Sequence, residues 1–179
     1  MAMIDHALQE FAHDALDARR RAALVALCSA AYEEDFAAYF DLLAGATHLL
    51  AEHDGAPVCH LAWVERRVWT GDGLALRAAY VEAVATRPDH QRRGLASRLL
   101  AEVPRRTAGF DIALLSPAEP EWYARRGWTP WRGTLHHRKD GRMIDDPDEC
   151  VMYRRLARTP AAVDDRGSLC VDWRPLEVW

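Results

Sequence analysis

An α/β (α+β) fold, a mixed and mostly antiparallel central sheet flanked by helices, is what this 179-residue sequence predicts. Three observations carry the expectation. Two Asp-Gly steps, Asp54-Gly55 and Asp72-Gly73, separate three β-rich runs at hairpin spacing, which makes an antiparallel meander. Two stretches, one after Asp17 and one after Gly94, repeat apolar residues with a helical period. A short all-apolar run, a brief helix and another β-rich run then follow in strand–helix–strand order.

Taken along the chain, residues 8–13 alternate loosely and predict a short strand. Asp17 reads as the N-cap of a helix carrying Ala22, Leu24, Val25, Leu27, Cys28 and Ala31. A second helix over 35–44 places Phe36, Tyr39, Phe40 and Leu43 on one face. Strands are expected over 48–52, 58–68 and 74–86. A turn through 87–93 leads to a helix from 94 with Leu95, Leu99, Leu100 and Val103 on one face, which Pro104 is expected to end or kink. Residues 110–115 predict a buried strand, 119–126 a short helix closed by Gly127, and 150–154 a strand. The stretch between, to about 148, reads as a polar loop.

No repeat or low-complexity linker divides the chain, so one domain over 1–179 is expected. No apolar run has the ~20 residues of a membrane span, and residues 1–6 lack the basic patch and apolar core of a signal peptide, which points to the cytoplasm. Cys28, Cys59, Cys150 and Cys170 share no metal or redox spacing and read as free thiols, and His136-His137 has no cysteine near it, so no metal is expected. A net charge of −4 (23 basic against 27 acidic residues) argues against a nucleic-acid partner and suits a cationic small molecule.

The segment that carries chemistry is Tyr80-Val81-Glu82-Ala83-Val84-Ala85-Thr86, followed by Gln91-Arg92-Arg93-Gly94-Leu95-Ala96-Ser97. A strand that turns into a helix presents unbonded backbone N–H groups at the positive end of the helix dipole, which is an anion site. Gly94 and Ala96 keep bulk low there, and Arg92 and Arg93 add charge.

On these residues the sequence resembles the GNAT superfamily of N-acetyltransferases. The resemblance implies that Gln91, Arg92, Arg93, Gly94, Leu95, Ala96 and Ser97 hold the pyrophosphate of acetyl-CoA, and that Val84, Ala85 and Thr86 offer their backbone to its pantetheine arm. Four further blocks are similar to aminoglycoside 2′-N-acetyltransferases: Tyr80-Val81-Glu82, Asp35-Phe36, the run from Tyr123 through Arg126-Gly127-Trp128 to Pro130-Trp131, and Asp172-Trp173-Arg174 with Val178-Trp179. Pro104, Glu177 and the segment 132–149 depart from that pattern. The resemblance implies an antibiotic-resistance enzyme, acting as a homodimer, that acetylates an amine of an aminoglycoside directly and without an acyl-enzyme. Its tail, 168–179, then contributes to the substrate site.

Each singled-out residue also has a structural alternative. Glu82, between Val81 and Ala83, is either an ion-pair partner for Arg77 or a general base and substrate anchor; the resemblance favours the latter. Tyr123 is either a core aromatic beside Trp122 or the acid that protonates the departing thiolate. Ser116, three residues before Glu119, reads as a helix cap. Asp145, Asp146, Asp148 and Glu149 read as a solvated loop. Asp35, Asp172, Glu177 and the Trp179 carboxylate are the expected anionic contacts for a cationic substrate, with the Trp179 indole wedging the tail in place. Rival readings are the same fold acting on another amine, kasugamycin included, and a non-catalytic protein that sequesters the drug.

Overall fold

The computed structural model describes residues 7–176 and 178–179, so expectations placed on residues 1–6 and on Glu177 lie outside the described residues. The chain divides into two units, one built from residues up to Val64 with Val81–Glu102, the other from Glu65–Tyr80 with Val103–Trp179. No helix among the described residues is long and apolar enough to cross a membrane.

The first unit begins with β1 (Leu8–Ala12) and α1 (Ala18–Tyr32). Asp17 caps α1 as its side chain predicts, with Oδ1 accepting the N–H of Arg20 at 2.7 Å. Helix α2 (Ala37–Asp41) is shorter than the 35–44 expected. Beyond it the N–H groups of Leu42 and Leu43 bond three residues back, to Tyr39 and Phe40, so the chain tightens into turns before Gly45. Strand β2 (Thr47–His53) lies between β1 and β3 (Ala56–Thr70), antiparallel to both. The end of β4 (Ala75–Thr86) and the start of α3 (Leu95–Arg106) complete the unit. Pro104 neither ends nor breaks α3, which runs on to Arg106. It falls in the last turn, where it removes one bond, and Thr107 N–H still reaches Val103 O at 2.9 Å.

The second unit adds β5 (Ile112–Leu115), α4 (Pro120–Ala124), β6 (Thr129–Pro130), β7 (Leu135–Lys139), β8 (Arg142–Asp145), β9 (Met152–Arg155) and β10 (Leu169–Asp172). With the halves of β3 and β4 that belong to this unit, the strand order is β6-β9-β5-β4-β3-β10-β7-β8. Strand β5 is parallel to β4 (Ala78↔Ile112) and antiparallel to β9. Strand β10 is antiparallel to β3 and parallel to β7.

The stretch expected to be a polar loop holds the hairpin β7–β8, turned at Asp140-Gly141 with φ of 51° and 73°. That is the same Asp-Gly signal used for the first two hairpins, hidden among charged flanks. Ser116 does not cap α4, whose N-cap is Glu119 with Pro120 at the first helical position, so Ser116 lies three residues too early.

Gly133 is dictated by close approach. The backbone N–H groups of Arg132 and Gly133 both bond Asp165 O at 2.8 Å, which draws the two segments together until a Cβ on Gly133 would lie 1.8 Å from Gly167 O. The Arg132 guanidinium meets the Asp165 carboxylate at 2.9 Å, and Tyr153 donates to it at 3.0 Å. Arg132 holds that carboxyl below the usual carboxylate range. Gly133→Ala is therefore expected to cost at least 3 to 5 kcal/mol, at the extreme of single substitutions. Gly109→Ala, where nothing lies within 4 Å, should stay within about 0.5 kcal/mol. Urea unfolding of the two variants checks this; equal midpoints contradict the packing described.

Candidate active site

Glu82 lies inside β4 and is 5% exposed. Its Oε2 accepts a hydrogen bond from Tyr39 Oη of α2 at 2.8 Å. Arg77, the ion-pair partner considered from sequence, instead grips Glu65 through bonds of 3.1 and 2.9 Å. The next residue, Ala83, has φ of +51°. An L-residue held left-handed costs roughly 1–2 kcal/mol, and such a residue in a strand re-aims its neighbours as bulges do. Side chains bond to its surroundings: His60 Nδ1 donates to Ala83 O at 2.9 Å and Tyr32 Oη to Val84 O at 3.1 Å. Thr86 contacts Cys59 Sγ through its hydroxyl at 3.2 Å, and Gln91 Nε2 donates to Thr86 O at 3.3 Å. Ala85 is buried.

From Thr86 the chain enters a short 3-10 turn (Pro88–His90) braced by Arg87, which bonds Asp89 at 2.6 Å and, ahead of His90, holds its carboxyl far below the usual range. Gln91, Arg92, Arg93 and Gly94 are exposed, Ala96 and Ser97 half-buried, and Leu95 buried as the first residue of α3. Arg92 and Gly94 have φ of 59° and 78°. These left-handed turns in front of a helix aim successive N–H groups outward, the arrangement that receives an anion. A Cβ at Gly94 would meet nothing within 4 Å, so the glycine is there for its φ and not for close packing. The loop thus fits a pyrophosphate, with Arg92 beside it; Arg93 also ties back to Asp89 O at 2.8 Å. Asp35 is exposed, and its Oδ1 accepts the Ala37 N–H at 3.0 Å, so it helps start the helix that carries Tyr39.

All of those residues belong to the first unit, whereas Tyr123, Asp172 and Trp179 belong to the second. Tyr123 is half-buried on α4, edge-on to Trp122 at 4.8 Å and to Trp128 at 6.5 Å between ring centroids. Burial, with Glu119 adding, pushes its hydroxyl up to about 12. The tail is held in place. Arg66 donates to Asp172 O at 2.7 Å and to Val178 O. Trp179 as a whole is 1% exposed and its indole donates to Asp146 Oδ2 at 2.7 Å, while His137 Nδ1 bonds the other oxygen of Asp146 at 2.8 Å. The acidic stretch is therefore not a wholly solvated loop: Asp146 is a structural anchor, with 13% of its side chain exposed. Asp172 also departs from expectation, because Arg138 binds its carboxylate at 2.8 Å and offsets its charge.

Sequence reasoning missed Tyr39 and the histidines as polar partners. Tyr39 was visible only as one member of an apolar helix face, and a tyrosine there always brings a hydroxyl that needs a partner. The histidines form a chain. His60 Nε2 is 2.9 Å from His48 Nδ1, His48 Nε2 is 3.0 Å from His13 Nδ1, and Arg21 Nη1 is 3.3 Å from His13 Nε2.

Comparison with known proteins agrees with this fold. A family profile described as an acetyltransferase (GNAT) domain matches residues 6–131. An aminoglycoside 2′-N-acetyltransferase of Mycolicibacterium fortuitum is 33% identical over 156 residues, covering 83% of this chain and 80% of that protein. Among solved structures, the GNAT family N-acetyltransferase YhbS of Escherichia coli, crystallised with CoA, superposes with a TM-score of 0.68 at 19% identity, over 96% of this chain and 93% of that one. A probable N-acyltransferase of Enterococcus faecalis superposes with a TM-score of 0.59 at 15% identity over 72% of this chain; the chain spans 33% of its length. At such identities these two likenesses show the fold.

The histidine chain makes a stability prediction. Burial, with His60 and His13 adding, lowers His48 from 6.5 to about 3, and burial lowers His60 from 6.5 to about 4 against the opposing bond to Ala83. Below 6.5 the unfolded chain binds protons that the folded chain refuses, so this stabilisation is full above 6.5 and is lost as pH falls toward 4. The urea midpoint should fall between about pH 7.5 and about pH 5, and less steeply in His60→Asn. A slope that is the same in both proteins counts against the two buried rings as its source.

Proposed function

This chain belongs to the GNAT family of acetyltransferases, and from that premise we propose that it transfers acetyl from acetyl-CoA to the 2′-amine of an aminoglycoside, conferring resistance. The observation that carries the proposal is one strand and the loop it feeds: β4 holds a buried Glu82 bonded by Tyr39, and in the same unit the loop before α3 takes left-handed φ at Arg92 and Gly94. The 33% identical relative named as an aminoglycoside 2′-N-acetyltransferase supports the acceptor, and the CoA complex of YhbS supports the donor.

The N–H groups of residues 92–97, with Arg92 and Arg93, would hold the pyrophosphate, and the backbone of Val84, Ala85 and Thr86 the pantetheine arm. What is supplied there is an acetyl group activated as a thioester. Glu82 takes a proton from the substrate ammonium through water, and Tyr39 fixes where the carboxylate points. Tyr123, with its hydroxyl near 12, stays protonated at neutral pH. Ordinary thiols ionise near about 8.5, so Tyr123 acts as a hydrogen-bond donor where thiolate charge develops and is a weak acid for full transfer. Carboxylates that attract a polycation also raise its amine pKa, while neighbouring ammonium groups on the antibiotic lower it. Asp35, Glu82, Glu177 and the Trp179 carboxylate carry the attraction; Asp172 contributes less because Arg138 holds it. That pairing favours, as a second reading, an acceptor with fewer ammonium groups, such as kasugamycin. The four cysteines are free thiols, three of them buried, which supports action in the cytoplasm; a homodimer is the assembly the family resemblance implies.

Thiol release from acetyl-CoA, measured with aminoglycosides bearing a 2′-amine or a 2′-hydroxyl, with kasugamycin and with a polyamine, tests the assignment. Release only with 2′-amines is expected, and no release with any of them points to a binding protein. Glu82→Gln should lower kcat about a hundredfold. Tyr123→Phe should lower kcat with little change in acetyl-CoA affinity. Wild-type turnover in both across pH contradicts these roles.

Extending the chain by two glycines after Trp179 moves the terminal carboxylate and keeps the indole that Asp146 binds. The antibiotic KM should then rise severalfold, since charges about 4 Å apart interact by roughly 4 kcal/mol near a protein surface before desolvation. The KM for acetyl-CoA and the melting temperature should hold. An unchanged antibiotic KM removes the tail carboxylate from the substrate site.

A further inference from the structure

The histidine chain of the first unit has a direction that follows from its two ends. Ala83 O can only accept, so His60 must carry its hydrogen on Nδ1. Its Nε2, 2.9 Å from His48 Nδ1, is then the acceptor of a neutral ring, which places the hydrogen of His48 on Nδ1. The same step repeats at 3.0 Å to His13. The His13 Nε2 left over accepts from Arg21 Nη1, a group that can only donate. Four bonds, three neutral rings and one tautomer satisfy every position. His48 and His60 are fully buried, and burial keeps both neutral, as the chain requires.

We propose that His60, His48 and His13 are positioning residues, a one-way donor chain that pins the carbonyl of left-handed Ala83 and so sets where the adjoining Glu82 points. A carbonyl at the inner end cannot pass a proton onward, so the chain orients and does not conduct. It rests on the assignment of Glu82 as the base. Tyr39 holds the side chain of Glu82 from one direction at 2.8 Å; His60 holds the peptide that follows it at 2.9 Å. His48 acts at one remove. Without its donor, His60 is free to carry hydrogen on Nε2, which turns a lone pair on Nδ1 toward Ala83 O and releases the carbonyl. The aromatic rings of the unit hold the geometry, with Phe40 packed 5.4 Å from His48 and 5.5 Å from His13.

The test combines kinetics with the wild-type enzyme's own spectrum. His60→Leu removes the donor, and His60→Asn keeps an N–H close to the position of Nδ1. His60→Leu should lower kcat about tenfold, as misplacement of a catalytic group does, while the acetyl-CoA KM moves less than about twofold. His60→Asn should recover most of the rate. In a Glu82→Gln background His60→Leu should add almost nothing, because both changes act through one carboxylate. Wild-type kcat in His60→Leu, or the same loss with and without Glu82, overturns the proposal. If Glu82→Gln alone has wild-type kcat, it is the base assignment that fails. Nitrogen-15 spectra of the histidine rings in the unmodified enzyme then decide the chain by itself. Three neutral rings protonated at Nδ1 are expected, and His60 protonated at Nε2 overturns it whether or not any variant folds.

Discussion

A strand that takes a left-handed step at an alanine depends on polar groups around it to hold that conformation, and Ala83 is such a step. The partners come from four elements of the same unit. His60 on β3 bonds Ala83 O, Tyr32 at the end of α1 bonds Val84 O, Tyr39 on α2 bonds Glu82, and His48 on β2 stands behind His60. The two buried histidines would be cheaper as apolar residues, since every buried polar group must find a partner. Their presence on otherwise apolar faces is explained by the shape of β4.

The second unit solves a different problem with the same means. It contains long irregular stretches, and their order depends on carboxylates with little exposure. Asp165 gathers Arg132 and Tyr153 with its side chain and two N–H groups with its carbonyl; Asp146 gathers His137 and the Trp179 indole. Arg66, buried within β3, ties the last residues through two backbone carbonyls and lies 5.2 Å from the Tyr80 ring. A chain terminus held by an arginine, a carboxylate and a buried indole is a built element.

Charge is used locally in this protein. The net value of −4 suggests a general pull on cations, yet carboxylates singled out from the sequence are committed internally, Asp172 to Arg138 and Asp146 to His137 and Trp179. How each carboxylate is placed therefore matters more than how many there are. This is why substitutions that shift an anion without deleting it are more informative than simple truncations.

Local chemistry made much of the fold legible. Asp17 as a cap, the Asp54-Gly55 and Asp72-Gly73 turns, the apolar face of α3 and the glycine loop before it depend on interactions within a few residues, so they can be read from spacing. The Asp140-Gly141 hairpin carried the same signal and was obscured by its polar flanks, because strand β8 has no buried face to show alternation. The candidate base was visible as a carboxylate among apolar neighbours, and the tail tryptophans as residues too large to leave in solvent. What only the tertiary structure decided was who answers whom: Tyr39 and not Arg77 for Glu82, Arg138 for Asp172, Asp146 for Trp179, and three histidines from three segments joined in one chain. Hydrogen bonds between residues 12 to more than 40 positions apart leave no periodic trace, since each partner is chosen by where the backbone brings it. The sequence by itself determined the elements and the chemistry they carry; packing alone decided which of those groups are held, which are neutralised and which are left to act.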